Sequence, residues 1–280
     1  MAYLEDTRGR SAENLRDTLL RKDSRRTRLK KERWLIVTMA IIPLILWEGF
    51  ARIGMISSLF FPPPTVIFLT FIRMIADGKL LSNMVATLWR VCLGFILGGF
   101  PGLILGLAMG WSRRARVVLD PFIAAAHPVP KIAILPLIMI LFGIGESSKV
   151  VVVAVSTFFP MLINTVAGVT QISPIHLEVA KNYGANLTKI FTRVIVPGSL
   201  PLILAGARLS LNIALLISIA VELVAAQQGL GAMIWLAWQT LRTEELYVSL
   251  AVTATLGIVF NLLLQRISLH LVPWQTEQEI

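Results

Sequence analysis

Between two long apolar runs lies a stretch that belongs to neither, SPIHLEVAKNYGANLTKIFTRVIVPGSLP at residues 173–201. Ser173 followed by Pro174 predicts a helix start: a hydroxyl to cap the free N–H groups, then a ring already at helical φ. A short helix follows to about Tyr183, where Gly184 suits the left-handed position that closes a helix. Asn186 predicts the cap of a second short helix. That helix is expected to stop near Val196, because Pro197 disfavours αR in the residue before it. Neither piece approaches the roughly 20 apolar residues needed to cross a bilayer. Lys181, Lys189 and Arg193 favour the cytoplasmic side. The segment is expected to be a helix–turn–helix with polar and apolar faces, displayed at a membrane surface.

The flanking sequence supplies the membrane. Hydrophobic residues make up 56% of the 280 and charged ones 15%, with a mean hydropathy of +0.75, which places the chain among polytopic membrane proteins. A formal charge of +10 could suggest nucleic acid, but eleven Lys/Arg against six Asp/Glu fall within residues 1–33, so half the excess sits in one tail. The single cysteine, Cys92, excludes a disulfide framework and a thiolate metal site. His127, His176 and His270 are far apart in sequence, and no metal site is expected. No cleaved signal peptide is read at the start.

The expected organisation is all-α with about six transmembrane helices. A basic cytoplasmic tail at 1–33 precedes a transmembrane domain at 34–272, which contains the segment 173–201, and a short cytoplasmic tail at 273–280 ends the chain. The first span is expected over Trp34–Ile53, with Glu48 and Arg52 as a local i,i+4 pair. Pro62, Pro63 and Pro64 mark an external turn before a short amphipathic helix over Thr65–Ala76. The second span, Val85–Trp111, repeats glycine every four residues from Gly94 to Gly110, one face on which another helix can approach closely. Residues 112–116 read as a cytoplasmic turn. The next stretch is broken by Pro121, Pro128, Pro130 and Pro136, and irregular backbone at membrane depth needs protein or a watery cavity around it. Spans four, five and six are expected over Lys149–Val169, Leu202–Val224 and Tyr247–Leu269. Gly229 and Gly231 precede an outer or re-entrant helix. Assigned this way, seventeen Lys/Arg fall inside and five outside, which puts both termini in the cytoplasm.

No P-loop, H-E-x-x-H or G-x-S-x-G is present. Catalysis by this chain is not expected, and neither ATP nor Mg is expected to bind it. Two patterns are informative instead. Glu178-Val179-Ala180, then Gly184 six residues after the Glu, then Val194-Ile195-Val196-Pro197, resembles the coupling loop of ABC-importer permeases. That family's pattern is E-A-A, three residues, G, nine residues, I-x-L-P; Val179, Val194 and Val196 are mild replacements. The resemblance implies short helices seated in a groove of a separate ATPase. Glu178, Ala180, Gly184, Val194 and Pro197 would form the coupling contact, with Ala180 keeping the face small and Gly184 making the corner.

The second pattern is His127-Pro128-Val129-Pro130-Lys131, Leu135-Pro136-Leu137 and Phe142-Gly143-Ile144-Gly145-Glu146, together with Phe61-Pro62-Pro63-Pro64 and Glu222 before Gly229-Leu230-Gly231. It is similar to the nitrate/sulfonate/taurine permease branch and covers most of residues 60–270. The resemblance implies a bacterial inner-membrane type I ABC importer subunit. Its partners would be two ATPase subunits carrying ATP and Mg, a second copy of this chain, an extracytoplasmic solute-binding protein and the lipid bilayer. His127, Pro128, Pro130, Lys131 and Glu222 are candidates for the substrate pathway, with Lys131 and Glu222 the deep charged ones. The substrate expected is a small anion such as a sulfonate, taurine or nitrate. A different small solute such as a pyrimidine precursor is the alternative, and ion-coupled secondary transport is the more distant one.

Overall fold

The computed structural model describes residues 41–274, together with Leu35, Thr38 and Met39. The tail at 1–33, the opening of the first span and the chain beyond Trp274 lie outside the described residues. Those that are described form helices and turns, with no strand. Two compact units divide the chain at residues 66 and 67.

In the first unit, helix α1 (residues 41–53) ends in a turn that leads to Pro64, the first residue of α2 (Pro64–Ala76). Glu48 and Arg52 form the expected pair at 2.5 Å, and the carboxylate also accepts from the Thr65 N–H (3.0 Å) and hydroxyl (2.8 Å). A carboxylate is favourable there because the first N–H groups of α2 have no partner within the helix.

The second unit is a helix bundle. Among the described residues four helices are long and apolar enough to cross a membrane: α3 (Lys79–Trp111), α6 (Glu146–Thr170), the run Leu187–Ala225 that ends in α9 (Val196–Ala225), and α11 (Thr243–Leu271). Helix α6 lies at the centre. Half of its most apolar window is buried, against 17% for α11. The glycine stripe explains one side of it. A methyl on Gly98 would overlap the Ala154 carbonyl, one on Gly102 would come within 2.6 Å of the Phe158 carbonyl, and one on Gly110 would overlap Val169. The absence of Cβ atoms therefore lets α3 and α6 touch backbone to side chain along five turns. On the other side, Gly168 meets Ser199 and Gly206 meets Asn164 in the same way, which seats α9. Hydroxyls tie the three helices together at one level. Thr157 donates to Gly94 O (3.2 Å), and Ser210 donates to Thr157 O (3.0 Å).

Several expected boundaries move. The helix α3 begins at Lys79, six residues before the expected Val85. Residues 113–116 are no turn: Ser112 caps α4 (Arg113–Ala126), accepting from the Ala115 N–H at 3.3 Å, so only the cap is non-helical. Arg116 folds back on the last carbonyls of α3, Met109 O (3.2 Å) and Gly110 O (2.9 Å). Neutralising the carbonyl end of α3 is what a cation does there. The proline-rich stretch is broken as expected, at residues 127–131. A single 3₁₀ turn, Ile132–Ile134, then leads into α5 (Leu135–Phe142). Gly143 at φ 83 ends α5 and Gly145 precedes α6.

Candidate functional site

The segment 173–201 forms the expected two short helices, α7 (Pro174–Asn182) and α8 (Leu187–Ile190), with Gly184 at φ 73 making the corner between them. Asn186 caps α8, accepting from the Lys189 N–H at 2.9 Å. Two expectations fail. Ser173 makes no side-chain cap bond, so Pro174 alone supplies the start. The second helix does not stop at Val196. It passes through one π turn, Phe191–Ile195, straight into α9. Pro197 sits in the first turn of α9, where its missing N–H would have no partner in any case.

Anchoring and exposure divide along this segment. Ile190 and Ile195 are buried against Val169 at the end of α6, and Phe191 stacks edge-on against Trp111 of α3 at 5.7 Å. Ala180 packs into the same cluster. Exposed are Ile175, Glu178, Val179, Tyr183 and Leu187, with Tyr183 at 89% and Val179 also on the wall of a cavity described below. Sequence reasoning found Glu178 and Gly184 but passed over Tyr183, since no local signal separates an exposed tyrosine from a buried one.

At the other end of α9, charges are buried. Arg90 of α3 donates from Nε and Nη2 to both oxygens of Glu146, at 2.6 and 2.9 Å, and from Nη1 to Glu222 of α9 and to the Gln228 carbonyl, both at 2.7 Å. Glu222 further accepts from Thr87 (2.9 Å), Ser218 (3.2 Å) and the Gly231 N–H (2.9 Å), while Lys149 joins Glu146 at 2.8 Å. Two cations and two carboxylates balance. The start of α10 (Leu230–Gln239) is held by this cluster. Its first N–H groups face Thr87 and Glu222, and Asn83 accepts from the Gly229 N–H at 2.7 Å. Gly229 at φ 127 and Gly231 are needed here because a Cβ on either would enter the Glu222 side chain.

The pathway candidates scatter. Glu222 is 1% exposed and hydrogen-bonded on both oxygens, so it ties helices together. The Lys131 ammonium lies on the carbonyls of Ala126, His127 and Val129, at 2.9, 2.8 and 2.7 Å, and 4.5 Å above the Phe159 ring. It closes the break after α4. His127, beside Phe159 at 5.6 Å, and Pro128 and Pro130 are exposed in that break.

A cavity of 1140 Å³ lies elsewhere, above the segment 173–201 and between the ends of α6, α9 and α11. Ala180, Val194 and Pro197 line its lower part, and Arg193 and Arg208 supply its cations. Arg90 and Arg208 both lie within spans, so Lys131 and Glu222 are not the only deep charges. Each is a lone arginine among apolar neighbours, and that isolation was the signal available in the sequence.

The comparisons with known proteins agree with this geometry. Residues 102–277 match the family of binding-protein-dependent transport system inner membrane components. The chain belongs to that family. It is 34% identical to the taurine transport system permease protein TauC of Escherichia coli over 247 residues, covering 86% of this chain and 90% of that one. It is 32% identical to a putative aliphatic sulfonates transport permease protein, SsuC, of Bacillus subtilis, over 93% of this chain and 94% of that protein. Among solved structures, the MetNI methionine ABC transporter in an inward facing conformation aligns at TM-score 0.57 and 18% identity, covering 66% of this chain and 94% of that one. An amino acid ABC transporter with histidines aligns at TM-score 0.59 and 21% identity, over 70% and 96%. As a binding-protein-dependent inner membrane component, this chain is a permease subunit and not an enzyme. ATP hydrolysis belongs to a separate ATPase, and the family works with a binding protein.

Proposed function

We propose that this permease imports a small sulfonate-type anion, delivered on the outer side by a solute-binding protein. Two copies pair, and two ATPases carrying ATP and Mg dock beneath their segments at 173–201. Closure of the ATPases rocks the helices between inward- and outward-open forms. The exposed face of α7 and the corner after it, Ile175, Glu178, Val179 and Tyr183, would enter the ATPase groove, while Ile190 and Ile195 hold the segment to the bundle. Lys181, Lys189 and Arg193 support a cytoplasmic position for it, and with it cytoplasmic termini.

The observation that carries the substrate class is the similarity over most of both chains to a taurine permease. The test is a reconstituted complex of permease, ATPase and binding protein, assayed for stimulated ATP hydrolysis with taurine, ethanesulfonate, nitrate and a pyrimidine precursor. Stimulation by the two sulfonates alone is expected. Stimulation by the pyrimidine precursor alone would replace the substrate. A mass measurement giving two permease chains per two ATPases is expected; one permease chain would remove the paired arrangement.

A further inference from the structure

The wall of α9 that faces the 1140 Å³ cavity carries cations, and among the described residues no Asp or Glu lines the cavity. Arg193, Pro197, Pro201, Ala205 and Arg208 follow one another at spacings of three and four residues, so a single stripe of the chain forms this wall. From Val196 to Arg208 the helix rises about 18 Å. That places the guanidinium well inside the apolar run Leu187–Ala225. Its Nε is buried and has no hydrogen-bond partner among the described residues. Arg90, by contrast, shares its nitrogens among two carboxylates and a carbonyl. An arginine at membrane depth is unfavourable unless it is hydrated or paired. Arg208 faces a space large enough for both water and a small anion.

We infer that Arg208 is the recognition point for a small oxyanion passing through this cavity. The guanidinium fork holds two oxygens of a sulfonate or carboxylate group, a geometry an ammonium cannot reproduce. Arg193 supplies a second cation beside the coupling segment. Gln171 and His176 add polar lining there. The inference rests on the anion-import reading and adds to it the residue that meets the anion.

Ala205 lies on the same wall, three residues from Arg208, and serves as a reporter position. In the permease–ATPase complex carrying Cys92→Ser and Ala205→Cys, the thiol is treated with 2-sulfonatoethyl or 2-(trimethylammonio)ethyl methanethiosulfonate. Relative to a free thiol in solution, the ratio of anionic to cationic rates is expected to rise about tenfold. Ethanesulfonate is expected to protect the thiol, and Arg208→Gln to abolish both effects. Arg208→Lys is expected to keep the rate preference but weaken protection. A preference unchanged in Arg208→Gln would overturn the inference, and so would full protection in Arg208→Lys.

Two controls separate the sources of the anion. Loss of preference and protection in vesicles containing phosphatidylglycerol, with both intact in phosphatidylcholine, would make a lipid headgroup the occupant. Preference appearing only after removal of residues 275–280 would make Glu277 or Glu279 the ligand. Either result overturns the solute role. The reagents report the wall without transport. A negative result therefore leaves the import reading standing, while intact preference with no sulfonate-stimulated hydrolysis overturns only the substrate class.

Discussion

Nη1 of Arg90 lies 2.7 Å from Oε1 of Glu222, with the two side chains 3% and 0% exposed. The pair joins α3 to α9 and, through the Gly231 N–H, brings the start of α10 with them. Removing one member of a buried pair leaves an uncompensated charge, which is far less favourable than removing both. Arg90→Met is expected to destabilise the purified chain by about 3–5 kcal/mol. Adding Glu222→Gln should recover part of that loss. Thermal unfolding in detergent measures both, and a double variant no more stable than the single would show that the pair does not act as a unit.

Adjacent glycines in α3 should respond in opposite ways. A methyl on Gly98 overlaps Ala154 O, whereas one on Gly99 finds its nearest neighbour, the Phe95 ring, at 3.7 Å. Gly98→Ala is expected to destabilise by about 1–3 kcal/mol through overpacking. Gly99→Ala should be neutral or stabilising by up to about 1 kcal/mol, the gain in helix propensity. Equal unfolding temperatures for the two variants would contradict the α3–α6 contact.

In the coupling segment, Tyr183→Ala, Glu178→Arg and Gly184→Leu should each lower transport at least about tenfold, a coupling change of about 1.4 kcal/mol. Insertion into the membrane should be unaffected. Ser173→Ala should be silent, because that hydroxyl makes no cap bond. Asn186→Ala should weaken α8 by about 1 kcal/mol. Uptake assays in vesicles test the first three variants and Ser173→Ala, thermal unfolding tests Asn186→Ala, and near-normal uptake in the first three would remove this surface from the docking contact.

Lys131 offers a contrast with Arg208. Its ammonium is satisfied by three carbonyls of its own loop. Lys131→Met should therefore lower stability by about 1–3 kcal/mol, the desolvation of carbonyls left unpaired. It should leave anion-stimulated ATPase activity in place. Abolished stimulation in a folded, assembled Lys131→Met complex would return this residue to the transport path.

The two short helices and the corner at 173–190 were legible because their determinants are local. Proline at a first turn, glycine at a left-handed corner and an asparagine cap act within a few residues, and each acts as read. The glycine stripe was legible as a packing face because its period is that of a helix. Part of what escaped was set by neighbours distant in sequence. The roles of Arg90 and Glu222 depend on three helices meeting. The partners of Lys131 are local, yet its saturation follows from how the backbone turns after Ala126, which no residue type there announces. The joining of α8 to α9 escaped for another reason. Pro197 marks both an end and a beginning of helix, and only the hydrogen-bond pattern of residues 191–195 decides between them.

That π turn has a further consequence. A π turn amounts to one residue more than the α pattern requires, held within an otherwise continuous helical rod. Each residue of an α-helix advances the chain by about 100° around the axis. The wide turn absorbs that residue, so deleting one within Phe191–Ile195 would let the rod relax to regular α geometry with everything before it nearly on its old bearing. Inserting one into the regular turns of α9 would instead turn everything before it by that angle. Tyr183 and Glu178 would then point along a different bearing, with their chemistry and their distance from the membrane nearly unchanged. The surplus residue at Phe191–Ile195 is thus slack stored in the rod, which can lose one residue there without re-aiming Tyr183 and Glu178.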